Sequence, residues 1–319
     1  MSKPKSKVCI GLPVFNGENY LTAALDSILD QTFTDFELVI SDNASTDRTA
    51  DICREYAAKD QRIQYHRNSK NIGGPRNFNQ LFEQCESEFF KWAHHDDVLA
   101  PNFLARCVEV LESDPSVILV HSKTARIDDE GKVVGAYDHN MRVDAKDPVD
   151  RLHDLLMIRH WCFEQFGVFR SSILTRVPLH GTYVGSDRRF LAEVALLGRW
   201  HIIPDYLFYR RQHAQACSNI WPMQARAEWF DPTKAHSINF PYFREAAEYV
   251  PALHRVPLSV KTRARCYSTL SRYVWQNRKK FLLDLEIATV TLLHRSQVGR
   301  GLIDITKRVT NKRINALPQ

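Results

Sequence analysis

A chain of 319 residues with 44% hydrophobic and 25% charged side chains is long enough to bury a sizeable core and too ordinary in composition for a disordered or low-complexity class. Seven cysteines, at 9, 53, 85, 107, 162, 217 and 266, form an odd set without a C-x-x-C pair, which argues against a disulfide frame or a thiolate zinc site and fits a reducing, cytoplasmic setting. The net charge of +6 is local: from residue 251 onward 14 Lys/Arg face 3 Asp/Glu, so the tail carries +11 and the rest −5.

The N-terminal "MSKPKSKVCIGLPVF" lacks the apolar core of a signal peptide, and the mature chain is expected to start there. "KVCIGLPVF" and "FELVISDN" read as short buried strands, and "YLTAALDSILDQ" between them puts Leu21, Ala24, Leu25, Ile28 and Leu29 on one helical face. The alternation continues with "TADICREYAAKD" as a helix after a cap in "STD", "RIQYHRN" as a strand, and a helix marked by Phe78, Leu81, Phe82 and Cys85. "SEFFKWA" is a fourth strand, "NFLARCVEVLESD" a fourth helix and "SVILVHSKTARID" a fifth strand, turned by Asp129, Glu130 and Gly131 toward "KVVGAY". Strands alternating with helices predict an α/β fold with a doubly wound, mostly parallel sheet.

From about 147 the pattern predicts a helix through "VDRLHDLLMIRH", a strand in "FEQFGVFR", a helix in "DRRFLAEVALLG" and a strand in "HIIPDYLFYRR", all at the far edge of the sheet. "WFDPTKAHSINFPYF" reads as loop, and "VKTRARCYSTLSRYVWQNRKKFLLDLEIATVTLLHRS" as one or two helices. Charge at Asp284 and Glu286 keeps that stretch from the roughly 20 apolar residues of a spanning helix. A boundary near 220 separates a domain of residues 1–219 from a basic, mainly helical C-terminal extension of residues 220–319.

Ligands of open parallel sheets sit beyond the carboxyl ends of the strands. There the chain places Asn16 and Glu18, then Asp42 and Asn43, then Asn71, Gly73, Gly74 and Arg76, then His94, His95, Asp96 and Asp97. Two adjacent carboxylates at a strand end are costly unless a cation or donors satisfy them, and Mg²⁺ or Mn²⁺, shared with substrate phosphates, suits such a pair. The pair also fits a merely structural place before the helix opening near Asn102. His94 and His95 point to opposite faces of an extended chain, which disfavours zinc. Neither G-x-G-x-x-G nor G-x-x-x-x-G-K-[ST] occurs, so the glycine cradles of dinucleotide and P-loop sites are lacking.

These residues resemble the family 2 glycosyltransferases of GT-A fold. The resemblance runs over residues 7 to about 218, through "GLPVFNGENYLTAALDSILDQTFTDFELVISDNASTD", "NIGGPRNFNQLF", "FKWAHHDDVLAPNFL", "YVGSDRRFLAEVALLGRW" and "FYRRQHAQACS". It implies a nucleotide-sugar half (about 7–140) and an acceptor half (about 141–219). Pro13, Phe15, Asn16 and Glu18 would line base and ribose, Asp42 would accept from the base, and Arg76 would face base or phosphate. The family's Asp-x-Asp region falls on His94, His95 and Asp96, followed by Asp97, with His94 in place of the first aspartate. Asp96 would be the principal metal ligand, Asp97 the second and His213 a third, while Arg211 would donate to phosphate. Asp187 matches the family's general base, although it or Ser186 also suits a helix cap.

The implied activity is metal-dependent, inverting transfer of a sugar, most often UDP-linked, to the hydroxyl of a glycan or lipid-linked acceptor, as in cell-surface polysaccharide or glycolipid synthesis. The alternatives are a nucleotidyltransferase of similar fold and a noncatalytic nucleotide-sugar or carbohydrate-binding module. For the basic tail, the choice is between solvated helix faces and a surface that meets a phosphorylated or lipid-linked acceptor or makes peripheral contact with anionic lipid at the inner membrane face; nucleic acid, which such a field would also attract, is not an expected partner.

Overall fold

The computed structural model describes residues 5–214, 216, 229–231, 233 and 240–295 of the chain. Its first half is built from β1 (Val8–Val14), α1 (Leu21–Leu29), β2 (Phe36–Asp42), α2 (Thr49–Lys59), β3 (Ile63–Arg67), α3 (Gly74–Glu83) and β4 (Phe89–Trp92). Every residue of β1 and β4 is buried, which is why these strands read as unbroken apolar runs: helices cover both faces of a parallel sheet. β1 pairs in parallel with β2 and β4, and β2 with β3. All these strands therefore end on the same side, where their loops converge.

The chain continues through β5 (Val98–Leu99), α4 (Phe103–Ser113), β6 (Val117–Ile127), β7 (Val133–Tyr137), α5 (Pro148–Met157), a 3₁₀ turn at Phe163–Phe166, β8 (Val168–Arg170), α6 (Ser171–Leu174), α7 (Ser186–Leu197) and β9 (Arg199–Arg211). The sheet order is β3-β2-β1-β4-β8-β6-β9-β5, with β7 beside β6. β8 runs antiparallel between β4 and β6, and β9 runs parallel to β6. The expected α/β sheet forms, but β8 lies in its middle and not at its far edge.

"FEQFGVFR" is not one strand. Its first half winds into the 3₁₀ turn and its second half is β8. At the break, a Cβ on Gly167 would lie 2.5 Å from the Val120 carbonyl oxygen, so only glycine lets the strand approach β6 this closely. β5, two residues long, was not anticipated; it pairs antiparallel with β9, aligning Val98 with Tyr209 and Leu99 with Phe208. Cys9 and Cys85 are joined as a disulfide, against the expectation of free thiols, while Cys53, Cys107, Cys162 and Cys266 are free and buried.

Three C-terminal helices follow: α8 (Pro241–Arg255), α9 (Val260–Gln276) and α10 (Arg278–Arg295). α8 begins inside the stretch expected to be loop, of which residues 232 and 234–239 lie outside the described residues, as does the tail beyond 295. A second core of Leu152, Leu156, Leu196, Tyr249, Leu253 and Leu270, among others, packs α8 and α9 against α5 and α7. Asp284 of α10 accepts from the Tyr242 and Phe243 amides, satisfying two of the open N–H groups that begin α8. Among the described residues no helix is long and apolar enough to cross a membrane.

Candidate functional site

The loops after β1 and β2 are tied together by side chains. Asn16, at φ 50°, accepts from the Thr46 amide at 2.9 Å, and Glu18 accepts from the Arg48 amide at 3.0 Å. Phe15 is 41% exposed above the buried Pro13. Asp42 is fully buried, and both its oxygens are engaged: Oδ1 accepts from the Ser45 amide at 2.8 Å, while Oδ2 accepts from the Tyr65 hydroxyl at 2.9 Å and lies 3.2 Å from Arg67 Nε. In this arrangement the carboxylate expected to meet a base organises its own loop. Asn43 and Asn71 lock that loop to the one after β3, where Gly73 (φ 88°) turns the chain into α3. Arg76 is half-exposed, near Asp231 at 3.5 Å, and the Trp229 ring covers Gly74 so closely that a Cβ there would meet it at 2.5 Å.

The loop after β4 splits its two histidines, as strand alternation requires. His95 turns toward the first loop and packs on Gly17, whereas His94 joins Asp96 and Asp97 in a cluster whose ligand atoms all lie within 4.8 Å of one another. Both carboxylates are buried. Arg210 Nη1 donates to Asp97 Oδ1 at 2.8 Å and to Asp96 Oδ2 at 3.3 Å, the Arg211 amide donates to Asp97 Oδ1 at 3.0 Å, and His213 Nε2 lies 2.9 Å from Asp96 Oδ2. That leaves Asp96 Oδ1, with His94 Nδ1 at 3.3 Å, and Asp97 Oδ2 without a hydrogen bond.

Burial alone would push the Asp96 carboxyl up, but Arg210, His95, His213 and His94 around it outweigh that and hold it well below the usual carboxylate range. Two open carboxylate oxygens and an imidazole nitrogen, in a pocket that keeps the acid ionised, suit a hard divalent cation.

Arg210 was missed by sequence reasoning, which singled out its neighbour. Arg211 is buried and spends its guanidinium on backbone: Nε donates to the Asp96 carbonyl at 3.0 Å, and Nη1 to those of Asp128 and Asp129 at 2.8 and 2.9 Å. It fixes the β4 loop to the β6–β7 turn. Consecutive β-strand residues face opposite sides, so Arg210 reaches the carboxylates instead.

His94, Arg210 and Arg211 line a cavity of about 970 Å³ that also takes in Asp187, Trp161 and Trp229. Pro13, Phe15, Asn16, Glu18, Asp42, Asp96, Asp97 and Arg76 lie outside its walls, and His94 is the member of the acidic cluster that lines it. Asp187 sits in the first turn of α7 and accepts from the Arg188 amide at 2.9 Å; the cap position is Gly185, at φ 88°, so neither Ser186 nor Asp187 serves as the cap. Behind the wall, burial opposes ionisation of Glu164, but His139 and His160 keep it charged, while burial pushes the neighbouring His121 down to about 4.

The family model for Glycosyl transferase family 2 matches residues 9–174, a little over half of the chain. A stretch of 128 residues is 30% identical to chondroitin synthase of Escherichia coli, covering 40% of this chain and 18% of that protein. The first curated relatives it matches are covered over 18% to 54% of their own length. In solved structures, S. aureus TarS 1-349 superposes with TM-score 0.65 at 16% identity, over 94% of this chain and 83% of TarS, and was also solved with UDP-GlcNAc. Mannosyltransferase PcManGT from Pyrobaculum calidifontis, solved with GDP-Man and Mn²⁺, superposes with TM-score 0.50 at 18% identity, over 92% and 88%. These likenesses bear out the GT-A architecture of the curled α/β sheet. With its β4 acidic loop inside the matched segment, this chain belongs to glycosyl transferase family 2.

Proposed function

We propose that this protein transfers a sugar from a nucleoside-diphosphate donor to an acceptor hydroxyl, with inversion at the anomeric carbon and dependence on a divalent cation. One observation carries the reading: His94, clustered with the buried Asp96 and Asp97, two of whose carboxylate oxygens lack a hydrogen bond, lines the same cavity as Asp187. Asp96, Asp97 and His94 would hold the cation, and His213, now against Asp96, would join by releasing that carboxylate. The cation would supply positive charge to the departing diphosphate.

The protein's own groups do the rest. Asp187 takes the proton of the acceptor hydroxyl as its oxygen bonds to the anomeric carbon, and the bond from that carbon to the diphosphate oxygen breaks with its electron pair leaving on the diphosphate. One such displacement inverts the centre. Phe15, Asn16 and Glu18 offer the surface for base and ribose, and UDP is the favoured nucleotide because the TarS fold neighbour was solved with UDP-GlcNAc. Exposed Trp275, Leu282 and Leu285 beside Arg278 and Lys279 support peripheral contact with an anionic membrane carrying a lipid-linked acceptor.

A panel of nucleotide sugars, assayed with Mn²⁺ and with EDTA, tests the reading. Metal-dependent release of nucleoside diphosphate with an inverted product by NMR is expected. Pyrophosphate release would establish a nucleotidyltransferase, and glycan binding indifferent to metal and nucleotide a binding module.

A further inference from the structure

The cavity wall farthest along the chain from the acidic cluster is made by the C-terminal helices, and it is cationic. Arg159, Arg188, Lys279 and Lys280 line it, against Asp187 and Glu245. Glu245 is already engaged: it accepts from the Tyr273 and Tyr249 hydroxyls at 2.8 and 3.0 Å and lies 3.4 Å from Arg188 Nε. Lys280 is half-buried, its ammonium 5.6 Å from the centre of the Tyr242 ring, and it has no hydrogen-bonded or ion-paired carboxylate among the described residues. Burial and the Arg188 guanidinium, with Arg159 adding to them, lower its pKa against the weaker pull of Glu245. A half-buried ammonium facing two guanidiniums is unfavourable on its own, and an anion entering the cavity removes that repulsion. Trp161, 46% exposed, lines the same cavity and offers an aromatic face for a sugar ring.

We propose that this cavity takes an acceptor saccharide bearing an anionic group, a uronate carboxylate or a phosphodiester, and that Lys280, with Arg159, receives that group while the neighbouring hydroxyl is presented to Asp187; Arg188, whose nitrogens are held by the His160 and Leu155 carbonyls and Glu245, adds its charge. This rests on the transferase reading above. The C-terminal helices are then part of the substrate site, and the basic extension sets which acceptors enter.

Calorimetry on the full chain separates the possibilities, using three oligosaccharides of equal ring number: uronate-containing, phosphodiester-linked and neutral. UDP with Mn²⁺ is titrated in parallel. At least tenfold tighter binding of one anionic oligosaccharide than of the neutral one is expected, weakening with added NaCl. That preference should vanish in Lys280→Gln, persist in Lys280→Arg, and leave the UDP affinity unchanged; which anionic ligand wins identifies the source of the charge. Equal affinity for all three oligosaccharides overturns the proposal. So does a Lys280→Gln protein that loses UDP affinity by the same factor, because the anion received is then the donor's. Failure of UDP to bind with or without Mn²⁺ would count against the transferase reading itself, whatever the oligosaccharides do.

Discussion

Replacing Arg210 by methionine tests the electrostatic logic of the site without touching a proposed ligand. Its side chain is 13% exposed and contacts carboxylates that are 5% and 3% exposed, at 3.3 and 2.8 Å. Asp97 and Asp96 together outweigh the burial that opposes its ionisation, and they hold the guanidinium charged. Removing one partner of a buried ion pair leaves an uncompensated charge and costs ~3–5 kcal/mol. Arg210→Met, compared with wild type by urea denaturation in EDTA, is therefore expected to lose about that much. A divalent cation is the alternative counter-charge. At a hundred times its Kd it stabilises either protein by ~2.7 kcal/mol, and it should bind the variant at least ~10-fold more tightly, narrowing the gap by ~1.4 kcal/mol at equal metal concentration. Arg210→Lys, which keeps the charge, should stay near wild type in metal affinity. If Mn²⁺ stabilises Arg210→Met no more than wild type, Arg210 is not holding the cation's place and the ligand assignment to Asp96 and Asp97 fails with it.

Three further outcomes follow from individual side chains. Asp187→Asn should melt near the wild-type temperature, since Gly185 and not Asp187 is at the cap position, yet lose at least ~100-fold in transfer rate; wild-type turnover removes Asp187 from the chemistry. Lys91 is fully buried, donates to the Trp92 and Phe166 carbonyls, and is pushed by burial from its ordinary 10.5 down to about 8. The unfolded chain then binds the extra proton between these values, so wild-type stability should rise by roughly 3 kcal/mol from pH 8 to 10.5 relative to Lys91→Met, and a constant difference refutes it. Asp284 has the opposite sign: burial raises its carboxyl from 3.8 to about 6 despite two amide donors. The folded state holds the proton more tightly, so stability falls as pH rises through that window and levels off above it; Asp284→Asn, which keeps an acceptor for α8, should flatten the melting profile from pH 4 to 6.

The parallel half of the fold was legible because β1 and β4 are buried throughout, β2 nearly so, and the helices between carry an apolar stripe, so period alone separates them. Leu21, Ala24, Leu25 and Ile28 are all buried, as their spacing required. The segment from α5 to β9 was harder to read because its geometry is set by close backbone approach. Cys162 at φ 59° opens the 3₁₀ turn and Gly167 closes it against β6, and neither shows in hydrophobic pattern. α8 carries Pro251 in its interior and so lacked a clean helical signature, although its buried face of Tyr249, Ala252 and Leu253 packs well. The cationic wall was visible only as a basic tail; that Lys280 turns into the cavity depends on the docking of α10 through Asp284.

The arginine pair shows where motif reading stops. The R-x-H spacing pointed to Arg211, and spacing can place a residue on a strand, but the strand's partner decides which face looks at the site. β9 lies between β6, with Arg126 opposite Arg210 and Ile127 opposite Arg211, and the short antiparallel β5, with Val98 opposite Tyr209. From there, alternation sends the Arg210 guanidinium to the carboxylates and the Arg211 guanidinium to the carbonyls of Asp128 and Asp129. The register of β9 thus fixes which arginine meets the acids, since a one-residue slip would exchange the faces of the two. The acidic dipeptide was readable from sequence because burying two adjacent carboxylates is costly in any fold, whereas the identity of its resident counter-charge required the register.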